Sequence, residues 1–473
     1  MIKRRSFLQK LLLTSGGLVI NFNSSLLFAL ADTGLVTGKV TAAGKALAGV
    51  LVSDGYTIVK TEKNGSYKIN PDPKAEFVFI SVPAGFEFPE ENKIAKFYHA
   101  LTAGSKFDFN LNQLEKSDHK HSFILWADPQ VKNKKDVAKM MTESVPDVQQ
   151  VLKEMREGEL VHGICVGDIV WDEHALFADY NHAVAQMNIP FFQTLGNHDE
   201  DYRLGGDETS DHTFKTHYGP TYYSFNRGKA HYVVMDNVRY LGKEREYDGY
   251  LVEQQLDWLE KDLKLVPKDQ LLIICLHIPV HSGVKNNQDL YALLAPFKNV
   301  HIMSGHTHYQ VNNIAGNIYE HNHGTVCGAW WTGPICGDGT PSGYGVYEVD
   351  GNSLKWYYKA TGFDKSHQIV LHTENVNNQK KITANVWNWD PAWKIEYFVD
   401  GKPKGIMENQ KGFDPLAVKL YLGDKLPQNG RYFVEPNQTD HLFFALLSDQ
   451  EKHIKVIATD RFGNQYKSEA NLS

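Results

Sequence analysis

Five times between residues 123 and 308, a short apolar run stops at side chains that can hold a metal ion. FILWA ends at Asp128, with Gln130 two residues on, and VHGICV ends at Gly167-Asp168. PFFQTL ends at Gly196-Asn197-His198-Asp199, LLIICL at His277, and VHIMS at Gly305-His306-Thr307-His308. Runs of this length read as buried strands. Between them lie helical patterns such as VPDVQQVLKEM and QQLDWLEKDLK, and strands alternating with helices indicate an α/β layer structure. In such sheets ligands bind beyond the carboxyl ends of the strands, so the pattern predicts that these five ends meet at one edge. Asp128/Gln130 and His306/His308 are i,i+2 pairs. In extended chain such residues face the same way, roughly 6–7 Å apart, and could reach one metal or straddle two. The donors are oxygen and imidazole without thiolate, a set that suits Mn, Fe, Zn or Mg rather than a structural cysteine-type zinc site.

Taken singly, each residue has a plainer explanation. Asp168 could cap a helix, Asn197 could sit in a turn, and His277 could be a satisfied core histidine. Seven candidate ligands at five strand ends make coincidence the weaker account. The series D-x-Q, GD, GNHD, H and GHTH, in this order, resembles the calcineurin-like metallophosphoesterase superfamily over about residues 120–365. That resemblance implies an α/β fold with a central β-sandwich and flanking helices around two divalent metal ions. It assigns Asp128 and His308, with Gln130 beside them, to the first metal. Asp168 bridges both, and Asn197, His277 and His306 serve the second. His198 is not a ligand but faces the phosphate and the leaving group, and Asp199 is placed to orient its imidazole. The implied reaction is hydrolysis of a phosphate monoester or diester by a hydroxide held between the metals, with manganese the first choice of ion. Gln130 departs from the histidine common in the family. A carboxamide oxygen is a harder donor than imidazole, which favours Mn²⁺ or Mg²⁺ at that position.

The ends of the chain carry different patterns. MIKRRSFLQK, an apolar stretch, and Ala29-Leu30-Ala31 form a secretory signal over residues 1–31. Its RRSFLQK run resembles a twin-arginine export motif. The expected location is therefore periplasmic or extracellular, with no transmembrane segment after cleavage. Residues 32–116 alternate apolar and polar positions, with Asp54-Gly55 and Asn64-Gly65 at hairpin turns. They predict a small β-sandwich loosely similar to regulatory or transthyretin-like modules. The phosphoesterase-like region spans 117–365. Residues 366–473 are again β-rich, with Asp400-Gly401 at a tight turn.

The net charge of −7 argues against nonspecific nucleic-acid binding. A small-molecule or lipid-headgroup phosphoester is the expected substrate. Two competing readings remain at this point: an envelope or glycan-binding protein with a structural metal site, and a nucleotide pyrophosphatase. Of the four cysteines, Cys327 and Cys336 could pair in an oxidising compartment. Asp172 could support the site or cap a helix, and His281 could reach the pocket rim. His321 and His323 could lie on a solvated strand face. Of Trp330 and Trp331, one is expected in the core and the other in the cleft.

Overall fold

The computed structural model describes residues 34–156, 158–424, 426 and 430–472. The expected signal segment, residues 1–31, lies outside the described residues. Among those described, no helix is long and apolar enough to cross a membrane.

Two sheets face each other at the centre. The first has the strand order Ser353–Ala360, Gly343–Asp350, Lys120–Trp126, Val161–Cys165, Phe191–Gln193, Ile94–Ala95, Glu90–Glu91. The second runs Tyr223–Arg227, Ala230–Val234, Leu271–Cys275, Asn299–Ser304, Ile318–Asn322, Val311–Ala315. Alternation along the strands explains the layering, because successive side chains point to opposite faces. Phe123, Leu125 and Ala127 join the core between the sheets, together with Tyr232, Ile273 and Met303. Ile124 and Trp126 face the other way, onto the helices Val145–Glu154 and Phe177–Met187. A strand with both faces covered carries an unbroken apolar run, which is why FILWA does not alternate in polarity.

The five strands expected to share one edge are divided between the sheets. Lys120–Trp126, Val161–Cys165 and Phe191–Gln193 run parallel in one. Leu271–Cys275 and Asn299–Ser304 run parallel in the other. Their carboxyl ends converge across the gap between the two sheets.

The N-terminal strands form two small sheets. Asp54-Gly55 closes the hairpin of Leu51–Ser53 with Ile58–Lys60. Asn64-Gly65 does not close one: Ser66–Ile69 pairs instead with Val36–Ala42 in the other sheet. The N-terminal core is continuous with the central one, through contacts such as Phe88 with Phe192 and Phe97 with Tyr223. At the other end, two four-stranded antiparallel sheets enclose Ile382, Ile395, Phe443 and Val456. There Asp400-Gly401, with φ of 46° and 78°, closes the hairpin of Lys394–Val399 with Lys402–Ile406, as a tight turn with two positive φ values does. GTVCGAWW is loop, whereas Gly343–Asp350 and Ser353–Ala360 pair as an antiparallel hairpin.

Candidate metal centre

Every candidate ligand lies within four residues of a strand end. Five of them have left-handed backbone: Asp128 (φ 47°), Gln130 (42°), Asp168 (50°), His306 (67°) and His308 (59°). The i,i+2 pairs are therefore not in extended chain, as the spacing had suggested. The chain curls tightly beyond each strand. Left-handed conformations cost non-glycine residues about 1–2 kcal/mol each and persist where surroundings over-determine them, typically at functional sites.

The motif glycines are explained by space. A Cβ on Gly196 would lie 2.0 Å from the Asp168 nitrogen and 2.4 Å from its Oδ1. One on Gly305 would lie 2.4 Å from Asp128 Oδ2. One on Gly167 would lie 2.6 Å from His277 Nδ1, at a φ of 91°. The loops press against one another so closely that only glycine lets the carboxylates through.

At the centre, His277 Nδ1 is 2.8 Å from the Val166 carbonyl. A carbonyl only accepts, so Nδ1 carries the proton and Nε2 presents a lone pair. That lone pair faces Asn197 Oδ1 at 3.1 Å, Asp168 Oδ1 at 3.2 Å and His306 Nδ1 at 3.2 Å. Beside it, His308 Nε2 is 3.4 Å from Asp128 Oδ1. Gln130 Oε1 and His308 Nδ1 are buried without a hydrogen-bond partner. So many converging acceptors need positive charge between them. Without a cation the histidines feel this as proton demand. Burial pushes His277 down, but Asp168 outweighs it and lifts the group to about 9. Burial likewise opposes His308, which Asp128 raises to about 10. His306, with burial and then His277 against it, falls to about 4.

The donor atoms fall into two groups, each within 4.8 Å: Asp168, His277 and His306, and Asp128, Asp168 and His308. Asp168 belongs to both. This set fits two adjacent divalent cations sharing one carboxylate.

One expected role changes. Asp199 does not touch the His198 ring. Its carboxylate accepts backbone N–H groups from Ile169, Val170 and Gly196 at 3.2, 3.1 and 2.9 Å, tying the GD loop to the GNHD loop. The 3₁₀ turn Asn197–Asp199 aims successive side chains in different directions, so sequence adjacency misleads. Asp172 takes the place beside the imidazole, 2.8 Å from His198 Nδ1, and itself pairs with Arg245. Gln130 lies beside the same carboxylate as His277: as placed, its Nε2 donates to Asp168 Oδ2 at 3.2 Å.

The surrounding residues include several that the motifs do not announce. Asn237 Oδ1 accepts the His277 and Ile278 backbone N–H groups. Glu320 accepts those of Val280 and His281, and its Oε2 lies 3.1 Å from His281 Nδ1. His321 and His323 are buried rather than solvated, and His321 packs against His301. Cys327 and Cys336 are buried free thiols. Trp331 is buried with Nε1 donating to the Pro129 carbonyl at 2.8 Å, and Trp330 stacks on His308 in the cleft. That cleft, of about 360 Å³, is also lined by Trp171, Tyr247 and Phe433.

Three profiles of one family match this chain. Calcineurin-like phosphoesterase matches residues 121–310, its N-terminal region residues 34–114, and its C-terminal region residues 320–466. The chain belongs to the calcineurin-like phosphoesterase family. It is therefore a metal-dependent phosphoric ester hydrolase of the α/β metallophosphoesterase fold, a family that binds paired metal ions. Among relatives, it is 25% identical over 196 residues to a 3',5'-cyclic-nucleotide phosphodiesterase of Nostoc sp., covering 39% of this chain and 70% of that one. Among solved structures, it is similar to a dimetal phosphatase from Danio rerio (TM-score 0.35, 16% identity, 51% of this chain and 96% of the other). It is also similar to a purple acid phosphatase from yellow lupin seeds, Lupinus luteus (TM-score 0.38, 12% identity, 76% and 69%).

Proposed function

We propose that the chain is an exported hydrolase of small phosphodiesters that uses two manganese ions. The observation that carries this reading is the place of Asp168 in both donor groups. Asp128, Gln130, Asp168 and His308 hold one ion. Asp168, Asn197, His277 and His306 hold the other. Gln130 takes part with its carboxamide turned over, which exchanges oxygen and nitrogen without needing space and aims the oxygen at the site. When bound, the ion pair neutralises phosphoryl charge and acidifies the attacking water. His198 supplies the proton for the departing oxygen, and Asp172 on Nδ1 fixes the ring so that Nε2 is the working nitrogen. The cleft extends beyond the candidate ligands to an aromatic wall, leaving room for a second ester group. The Nostoc relative is itself named as a phosphodiesterase. Export rests on Arg4, Arg5 and the segment to Ala31, which supports a periplasmic or extracellular location. Cell fractionation with Arg4 and Arg5 replaced by lysine tests it.

The enzymatic test uses p-nitrophenyl phosphate and bis-p-nitrophenyl phosphate with Mn²⁺. Asp168→Ala is expected to lose at least about a thousandfold in kcat/KM together with bound metal, and His198→Ala about 10²–10⁴-fold. Full activity in Asp168→Ala would sink the assignment. A panel including nucleoside diphosphates separates this reading from a pyrophosphatase. Gln130→His should shift the metal preference towards Zn²⁺.

A further inference from the structure

The cleft has two unlike walls. One is the candidate metal centre. The other is built of Trp171, Tyr247, Trp330 and Phe433, and Phe433 comes from the C-terminal unit, more than a hundred residues beyond His308. We propose that Phe433 is a specificity-determining residue, and that its wall seats a flat aromatic ring carried by the ester, of the nucleobase class. This deepens the phosphodiesterase reading and rests on it.

The rings form one assembly. Phe433 meets Trp330 at 5.2 Å and 90°, and Trp171 at 5.3 Å and 71°. Phe433 is 39% exposed, and Tyr432 beside it is 97% exposed. Phe433 lines the cleft yet keeps aromatic surface in water that the chain's own packing does not use. The residues on either side are anchored. Arg431 Nη2 is 3.0 Å from Asp136 Oδ2, and its guanidinium lies over the Trp171 ring at 4.6 Å. Val434 enters a small core with Ala329, Ile335, Ala417 and Tyr421, and the Tyr421 hydroxyl donates to the Ile335 carbonyl at 2.6 Å.

The wall is also tied to the candidate ligands. Trp330 and Trp331 both have left-handed backbone, with φ of 51° and 65°, an outlier for bulky residues. The strained pair lets Trp331 bond the Asp128-Pro129-Gln130 turn while Trp330 stacks on His308 at 4.3 Å. Positive charge stands alongside: Lys132 Nζ is 4.1 Å from the Trp171 centroid. Rings beside cations suit a ligand that carries a π-face next to a phosphate. An alkyl chain would use the rings and draw nothing from the charge beside them.

Two esters sharing one leaving group isolate the wall: thymidine 5′-(p-nitrophenyl phosphate) and methyl p-nitrophenyl phosphate. The wild-type enzyme should favour the thymidine ester at least tenfold in kcat/KM. Phe433→Ala should abolish most of that preference through KM, and Phe433→Tyr should keep it. A second readout needs no turnover. Thymidine 5′-monophosphate should quench tryptophan fluorescence, about tenfold more weakly in Phe433→Ala, whereas methyl phosphate should not quench it. Turnover of both esters without preference, or a Phe433→Ala variant that keeps the preference, overturns the proposal and leaves the phosphoesterase reading intact. Phe433-dependent nucleotide binding with neither ester cleaved sustains the aromatic subsite and overturns the proposed reaction.

Discussion

The contrast between Asp172 and Asp199 shows what single residues contribute. Both are carboxylates near His198, but Asp172 bonds the imidazole while Asp199 collects three backbone N–H groups. Asp172→Asn should lower kcat about 10–100-fold, the usual effect of removing a group that orients a reacting one, with the thermal midpoint unchanged. Asp199→Asn should instead lower the thermal midpoint and the metal content, because it unties the two loops. Steady-state kinetics beside calorimetry distinguishes them, and the reverse pattern would restore Asp199 to the imidazole. The candidate ligands themselves were legible in the sequence, because carboxylates and imidazoles after apolar runs have few other reasons to recur. The partner of His198 was not. Which side chain a 3₁₀ turn aims inward depends on backbone angles that residue type does not encode, and Asp172 belongs to a different loop.

Among the elements, the short loops after the strands govern the site more than the strands do. The strands were legible as apolar runs, and the helices Val145–Glu154 and Glu253–Leu263 as amphipathic patterns. Their division between two facing sheets was not, since an apolar run carries no mark of which partner it pairs with. Nor was the extended-chain picture of the i,i+2 pairs right, because crowding among three loops forces them to curl. That crowding predicts that Gly196→Ala, which adds one methyl group 2.0 Å from the Asp168 nitrogen, will displace Asp168. Metal content should fall below one ion per chain and activity at least about a hundredfold, while circular dichroism still reports a folded protein. A fully metallated Gly196→Ala variant would show that the loops have slack.

At the scale of the whole molecule, the three sequence regions are less separate than their compositions suggest. The N-terminal region was legible as β-structure, but its fusion with the central core was not, because Phe88 and Phe97 look in sequence like any half-buried strand residues. Nor did any motif announce that the C-terminal unit reaches the cleft through Phe433. The shared interior also carries buried neutral histidines. Burial lowers His121 to about 4, and His301 and His323 to about 3. An unfolded chain takes up these protons below about 6.5, while the folded one refuses them until pH 3–4. At these three positions the unfolded state thus binds more protons across that window, so their contribution to stability is full above it and declines as pH falls, by up to ~1.4 kcal/mol per unit for each group. Urea unfolding of chelated protein between pH 6 and pH 4.5 should lose less stability in His121→Gln than in the wild type, and equal losses would contradict it. The left-handed backbone at Asp168 has a practical consequence for anyone disabling this enzyme. Alanine there keeps the conformational penalty of a Cβ at positive φ, whereas glycine removes it along with the carboxylate. Asp168→Gly should therefore be the better metal-free control, about 1 kcal/mol more stable to urea than Asp168→Ala.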